Sequence, residues 1–235
     1  MLITPITLTR NKKLHAFTLV ETLVVIAIIA ILATILIPVI QSVRRNAAVS
    51  RNISNLRNLQ SANQLYATEH SGNYVPVGSF NEKGSYGNFW HENPSFVTEY
   101  LGFTDVNQWP EEFLSPWASI RSSDGQLLIE RSYGYNYTGL GAYGIPGTSR
   151  NANMMTLANP SKTLAFADAL DWQIQIYGAD RYNGVEEVNN NNTNSAIAYR
   201  YNGYAGVVYF DGHAEMLNRE QVVDNQELWN IRSTN

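Results

Sequence analysis

Glu21 is the first residue that needs a chemical explanation. It heads a stretch, Thr22 to Val43, in which no charged side chain occurs. A carboxylate costs about 2.5–3.5 kcal/mol at the centre of a membrane helix and less near its end, so such a residue normally has a partner. Cutting the chain between Ala16 and Phe17 would create an α-amine four residues before Glu21. On the same chain or on a neighbour packed beside it, that amine would neutralise the carboxylate within an apolar bundle.

The element that must position this pair is the apolar run itself. Roughly 20 apolar residues rising about 1.5 Å each cross the hydrocarbon core of a bilayer. Arg10, Lys12 and Lys13 precede the run, and Arg44, Arg45 and Arg51 follow it, so the charge count alone leaves the orientation open. A conventional secretory signal has a shorter apolar region and a small-residue cleavage site, whereas this run continues into Gln41-Ser42-Val43-Arg44-Arg45.

Ala16-Phe17-Thr18-Leu19-Val20-Glu21, followed by an apolar helix containing Pro38, resembles the signal of type IV pilins and type II secretion pseudopilins. The resemblance implies a leader of residues 1–16 ending at Ala16, where the family usually has Gly. It also implies an N-methylated Phe17, and Glu21 as the acid that guides assembly. The implied partners are a prepilin peptidase/N-methyltransferase, other pilin or pseudopilin subunits and an inner-membrane assembly platform. The implied location is the inner membrane, crossed once, with the C-terminal domain outside the cytoplasm. Residues 50–59, with Gln64-Leu65-Tyr66-Ala67 and Gly72-Asn73-Tyr74-Val75-Pro76, resemble a bacterial subgroup of these proteins that often has Cys at the position of Ile53.

Beyond the apolar run, residues 44–70 contain neither Pro nor Gly, and Val49, Ile53, Leu56, Leu59, Ala62 and Leu65 or Tyr66 recur at steps of three and four. This spacing predicts an amphipathic continuation of the membrane helix (17–43), stopped by Ser71-Gly72-Asn73. One helix from Phe17 to His70 would be about 80 Å long.

The remainder, 71–235, suits one exported domain. Val97 to Leu101 and Glu111 to Leu114 are candidate short helices. Ser132 to Tyr137, Lys162 to Asp168 and Trp172 to Tyr177 are candidate strands. Gly139 to Gly147 and Val188 to Asn194 read as loops. A final hairpin runs from Gly206 to Phe210, turns at Asp211-Gly212 and returns through Met216. It resembles the H-x9-DG element of many prepilin-signal proteins, with Tyr201 where that element has His.

Composition narrows the functional classes. The formal charge of −4 falls to about −7 when the leader's three basic residues are removed, which gives nucleic-acid binding no electrostatic support. Without cysteine there is neither a disulfide framework nor a thiol nucleophile. His15, His70, His91 and His213 lack the spacing of a zinc-protease helix, and no Gly-x-Ser-x-Gly elbow occurs. Adjacent His91 and Glu92 would point to opposite faces of an extended chain. No catalytic residue, metal ligand or cofactor is assigned. Calcium is the ion best suited to Asp168, Asp171, Asp180 and Asp211, which lie near candidate strand ends.

The expected protein is therefore an α+β, pilin-like filament subunit, its long helix packed on a mostly antiparallel sheet. Two other classes remain open. A surface-binding or adhesion protein would gather Trp90, Trp109, Trp117 and Trp172 into an exposed, glycan-binding patch. An anchored enzyme would converge acids and His213 in a pocket.

Overall fold

The computed structural model describes residues 19–83, 85–119, 125–140, 149–186 and 194–231. The chain divides into two compact units, Met1–Arg45 and Asn46–Asn235. One 51-residue helix, α1, runs from Leu19 to Glu69.

In the first unit, the apolar side chains of α1 are exposed all round, from Leu19 through Ile29 and Leu36 to Val43. A helix apolar on every face needs an apolar medium, and this one is long enough to span a bilayer. Pro38 lies inside it and cannot donate to the carbonyl of Thr34.

In the second unit, α1 buries Leu56, Leu59, Ala62, Tyr66 and Ala67 together with Asn52, Asn55, Gln60 and Asn63. The buried face is the expected one at Leu56, Leu59, Ala62 and Tyr66, with four carboxamides added to it. Val49 and Ile53 are only half-buried, and Leu65 is 56% exposed. The carboxamides can be buried there because each finds a partner in the layer below. Asn55 Nδ2 donates to the carbonyls of Glu112 and Phe113 at 2.9 and 2.7 Å. Gln60 and Gln64 both donate to Phe210 O at 2.8 Å. Asn63 donates to Tyr135 Oη at 3.1 Å and accepts from Val75 N at 3.0 Å. The helix ends where Ser71 and Gly72 take φ of 56° and 81°, and Gly72 N reaches back to Ala67 O at 2.8 Å.

Two sheets follow. β1 (Gly78–Phe80) pairs with β2 (Tyr86–Phe89) and with β4 (Ser149–Arg150), both antiparallel. The larger sheet contains β3 (Tyr133–Asn136), β5 (Leu164–Asp168), β6 (Gln173–Ile174), β7 (Tyr204–Tyr209) and β8 (Ala214–Asn218), in the order β6-β3-β5-β7-β8. Its pairs are antiparallel except β3 with β6, which is parallel.

The expected strand from Trp172 to Tyr177 shortens to β6, because Ile176–Gly178 forms a 3-10 turn. The candidate helix at Glu111 to Leu114 is a set of turns, and Phe96–Tyr100 is a π-helical turn. Trp90–Glu92 is a 3-10 turn rather than extended chain.

β5 is buried along its whole length because the sheet is covered on both faces. Phe166, Val208 and Phe210 join the core that contains Leu56, Leu59 and Trp90. Leu164, Ala167, Val207 and Tyr209 join a second core with Leu217, Val222 and Trp229. The back cover comes from α2 (Arg219–Val223) and the segment after it. Asn218 caps α2 by accepting from Gln221 N at 2.9 Å. The Trp229 indole N–H donates to Val222 O at 3.0 Å.

Candidate functional site

Glu21 lies in the first turn of α1, with its side chain exposed, at the head of the charge-free run. Carboxylates are favoured there because the first backbone N–H groups of a helix lack intrahelical acceptors. Ala16 and Phe17, the expected cleavage and methylation positions, lie outside the described residues.

The second polar centre was not foreseen from the sequence. Asp168, at the end of β5, is fully buried. Its Oδ2 accepts from Asn52 Nδ2 at 2.6 Å and from Gly206 N at 2.7 Å. Its Oδ1 accepts from Ser115 Oγ at 2.7 Å and lies 3.7 Å from the Arg200 guanidinium. Burial outweighs the opposing pull of Arg200 and the three hydrogen bonds, so the carboxyl is held up at about 6.

Arg200 is also buried. It pairs with Glu186 and donates to the carbonyls of Arg131, Ser132 and Ala169. Tyr133 donates to Asn52 Oδ1 at 2.9 Å, and Tyr201 Oη lies 3.3 Å from Ser115 Oγ. One carboxylate thus joins α1, the Ser115 segment, β5 and the start of β7. The close approach requires glycine at 206, where a Cβ would sit 2.4 Å from Asn52 Nδ2 and 3.0 Å from Asp168 Oδ2.

Tyr201, which stands where the H-x9-DG element has His, is part of this hub, and its ring stacks on Trp117 at 5.0 Å. The Asp211-Gly212 turn forms as expected. Asp211 Oδ1 accepts from His213 N at 3.1 Å and lies 2.6 Å from His213 Nδ1, and the His213 ring stacks on Tyr209 at 3.9 Å.

The four acids expected to suit calcium are dispersed. Asp168 serves the hub, Asp171 accepts from Ser195 N at 2.8 Å, Asp180 pairs with Arg219 at 2.9 Å, and Asp211 holds His213. Among the described residues no group of three or more His, Cys, Asp or Glu side chains converges to hold a metal.

The four tryptophans do not form an exposed patch either. Trp90 is fully buried. Trp109 and Trp172 are half-buried against the same core, with Trp172 stacked on Phe89 at 4.1 Å, and Trp117 is occupied by Tyr201. They cover a small sheet and its loops, as aromatic side chains commonly do.

His91 and Glu92 form no hydrogen-bonded pair with each other among the described residues. Glu92 Oε2 accepts from Phe89 N at 3.2 Å. The His91 ring is buried and held down to about 3, and its Nε2 has no hydrogen-bond partner among the described residues.

With this geometry in view, residues 11–37 match the family described as the prokaryotic N-terminal methylation motif. Comparison of the chain with curated proteins and with solved structures returned no match. The matched stretch takes in Ala16, Phe17 and Glu21 and ends one residue before Pro38. It gives the chain a prepilin-type signal and supports a pilin-like subunit processed by prepilin peptidase. Signal and apolar helix together agree with membrane anchoring.

Proposed function

We propose that this chain is a structural subunit of a type II secretion pseudopilus or a type IV pilus-like filament. Prepilin peptidase removes residues 1–16 and methylates Phe17, and the α1 helices of many copies then pack around a common axis. In that bundle the Phe17 amine of one subunit meets the Glu21 carboxylate of another, so two charges that would each be costly in hydrocarbon neutralise one another. The subunit crosses the inner membrane once before assembly, with residues 71–235 outside the cytoplasm. The role is mechanical, and no catalytic step is assigned to the exported domain.

The observation that carries this reading is the methylation motif at residues 11–37, which overlaps the charge-free run from Thr22 to Val43 and takes in Glu21 at its head. Glu21→Ala tests it. The variant is expected to be exported and cleaved as the wild type is, yet to be missing from sheared or co-purified filaments. Normal incorporation would remove the charge-pairing argument while leaving processing intact.

A further inference from the structure

The dipeptide Asn-Gly occurs twice in the chain, each time after tyrosine, at Tyr182-Asn183-Gly184 and Tyr201-Asn202-Gly203. In this pair a backbone nitrogen attacks the preceding carboxamide most readily, because glycine has no side chain to hinder the approach. Both pairs are exposed, and neither Gly184 N nor Gly203 N is hydrogen-bonded among the described residues. The local sequence is matched, so the fold decides which of the two reacts.

The backbone separates them. Tyr201 N donates to Tyr204 O at 2.9 Å and Tyr204 N donates to Tyr201 O at 3.2 Å, while Asn202 and Gly203 have φ of 56° and 84°. Two residues of positive φ inside such a pair form a type I′ turn, whose first residue has ψ of about +30°. Ring closure instead needs the glycine nitrogen on the Cβ side of the Cα–C bond, at ψ of about −120°, the value of a type II′ turn. The I′ turn therefore holds Gly203 N away from the Asn202 carboxamide. No cross-turn bond among the described residues closes over Asn183. Its Oδ1 accepts from Val185 N at 3.0 Å, which folds the carboxamide forward over the Gly184 peptide. That N–H sits on the oxygen that gains negative charge when Cγ is attacked, as the donor of an oxyanion hole does. Gly184 has φ of 86° and, apart from its chain neighbours, no atom within 4 Å of where a Cβ would be, so water reaches it freely.

We propose that Asn183 is a site of spontaneous deamidation, with water as the only co-reactant. Gly184 N gives up its proton to solvent and bonds to Asn183 Cγ. The Cγ–Nδ2 bond then breaks, and ammonia leaves with a proton taken from solvent, closing a cyclic imide. Water adds to one of the two imide carbonyls and opens the ring. The product at position 183 is an aspartyl residue or, where the backbone now runs through Cγ, an isoaspartyl residue. Nothing is oxidised or reduced, and the chain gains one negative charge. That charge arises between Tyr182, whose carbonyl accepts from Arg219 at 2.5 Å, and Glu186, the partner of Arg200. The change is slow and one-way, so it marks the age of a folded molecule. The proposal does not depend on the filament reading.

The test is incubation of the full chain in detergent micelles at neutral pH in H₂¹⁸O, followed by digestion at low pH in ordinary water and tandem mass spectrometry. Each deamidation during the incubation leaves ¹⁸O in the carboxyl it creates, so events during digestion are not counted. A parallel incubation in guanidinium chloride gives the rates without the fold. In the folded chain Asn183 is expected to take up label at least about tenfold faster than Asn202. In denaturant the two Tyr-Asn-Gly sites should label at similar rates. A smaller ratio in the folded chain overturns the proposal, as does a ratio equally large in denaturant. An Asn183 that stays unlabelled in the folded chain, over a time that labels both sites in denaturant, overturns it as well.

Discussion

Replacing Asp168 by Ala is the sharpest test of how the sheet domain holds α1. The change removes the acceptor shared by Asn52, Ser115 and Gly206 and strips the buried Arg200 of a neighbouring carboxylate, leaving it Glu186. Breaking a buried ion pair from one side costs about 3–5 kcal/mol, because the remaining charge stays buried. For a domain of this size each kcal/mol lowers the melting temperature by about 2–4 °C, so the expected loss is roughly 6–20 °C. Asp168→Asn keeps the shape and one acceptor oxygen, but turns an amide N–H₂ toward groups that themselves donate, and an intermediate loss is expected. The assay is a thermal melt of the full chain in detergent micelles, followed by near-UV circular dichroism, which reports the packed aromatic rings. If Asp168→Ala melts within about 2 °C of the wild type, less than 1 kcal/mol is involved and the hub does not fasten the helix to the sheet.

Two further predictions concern buried groups of the same domain. Asp168 and His91 oppose each other in pH dependence. A carboxyl raised to about 6 contributes stability that is fully present below about pH 4 and is lost as pH rises through 6, whereas an imidazole lowered to about 3 contributes stability present above about pH 6.5 and lost as pH falls. Relative to the wild type, Asp168→Asn should therefore gain stability as pH rises from 4 to 6 and His91→Gln should lose it, each by up to ~3 kcal/mol over that window. Urea melts at several pH values check both slopes, and parallel curves for all three proteins would contradict the assignment. Gly206→Ala forces a methyl group against Asn52 and Leu56 and is expected to cost about 1–3 kcal/mol by overpacking, read from the shift in urea midpoint.

The helix, the turn after it and the final hairpin were legible in the sequence because each has a strong local cause. The charge-free run, Ser71-Gly72 and Asp211-Gly212 act through length or backbone conformation, and no distant residue can override them. The apolar part of the buried face of α1 was legible at Leu56, Leu59, Ala62 and Tyr66, but Asn52, Asn55, Gln60 and Asn63 were missed because they are polar and look like solvent-facing residues. Their spacing with Leu56, Leu59 and Tyr66 is helical, so periodicity counted without regard to polarity would have found them. Asp168 looked like a strand-end acid, and nothing near it in sequence shows that Asn52, Ser115, Arg200 and Gly206 meet it. That information is carried by the order of strands in the sheet. The back layer under Trp229 escaped for the same reason, since the alternation of β7 shows that both faces are apolar but not what covers the second.

The central claim concerns the N-terminus, and mass spectrometry of the membrane-extracted protein from its native host measures it directly. The filament reading predicts a mature chain that begins at N-methyl-Phe17, with residues 1–16 removed. A chain that still begins at Met1, or one cut after Val43, would contradict it and leave an anchored or secreted domain with no route into a filament.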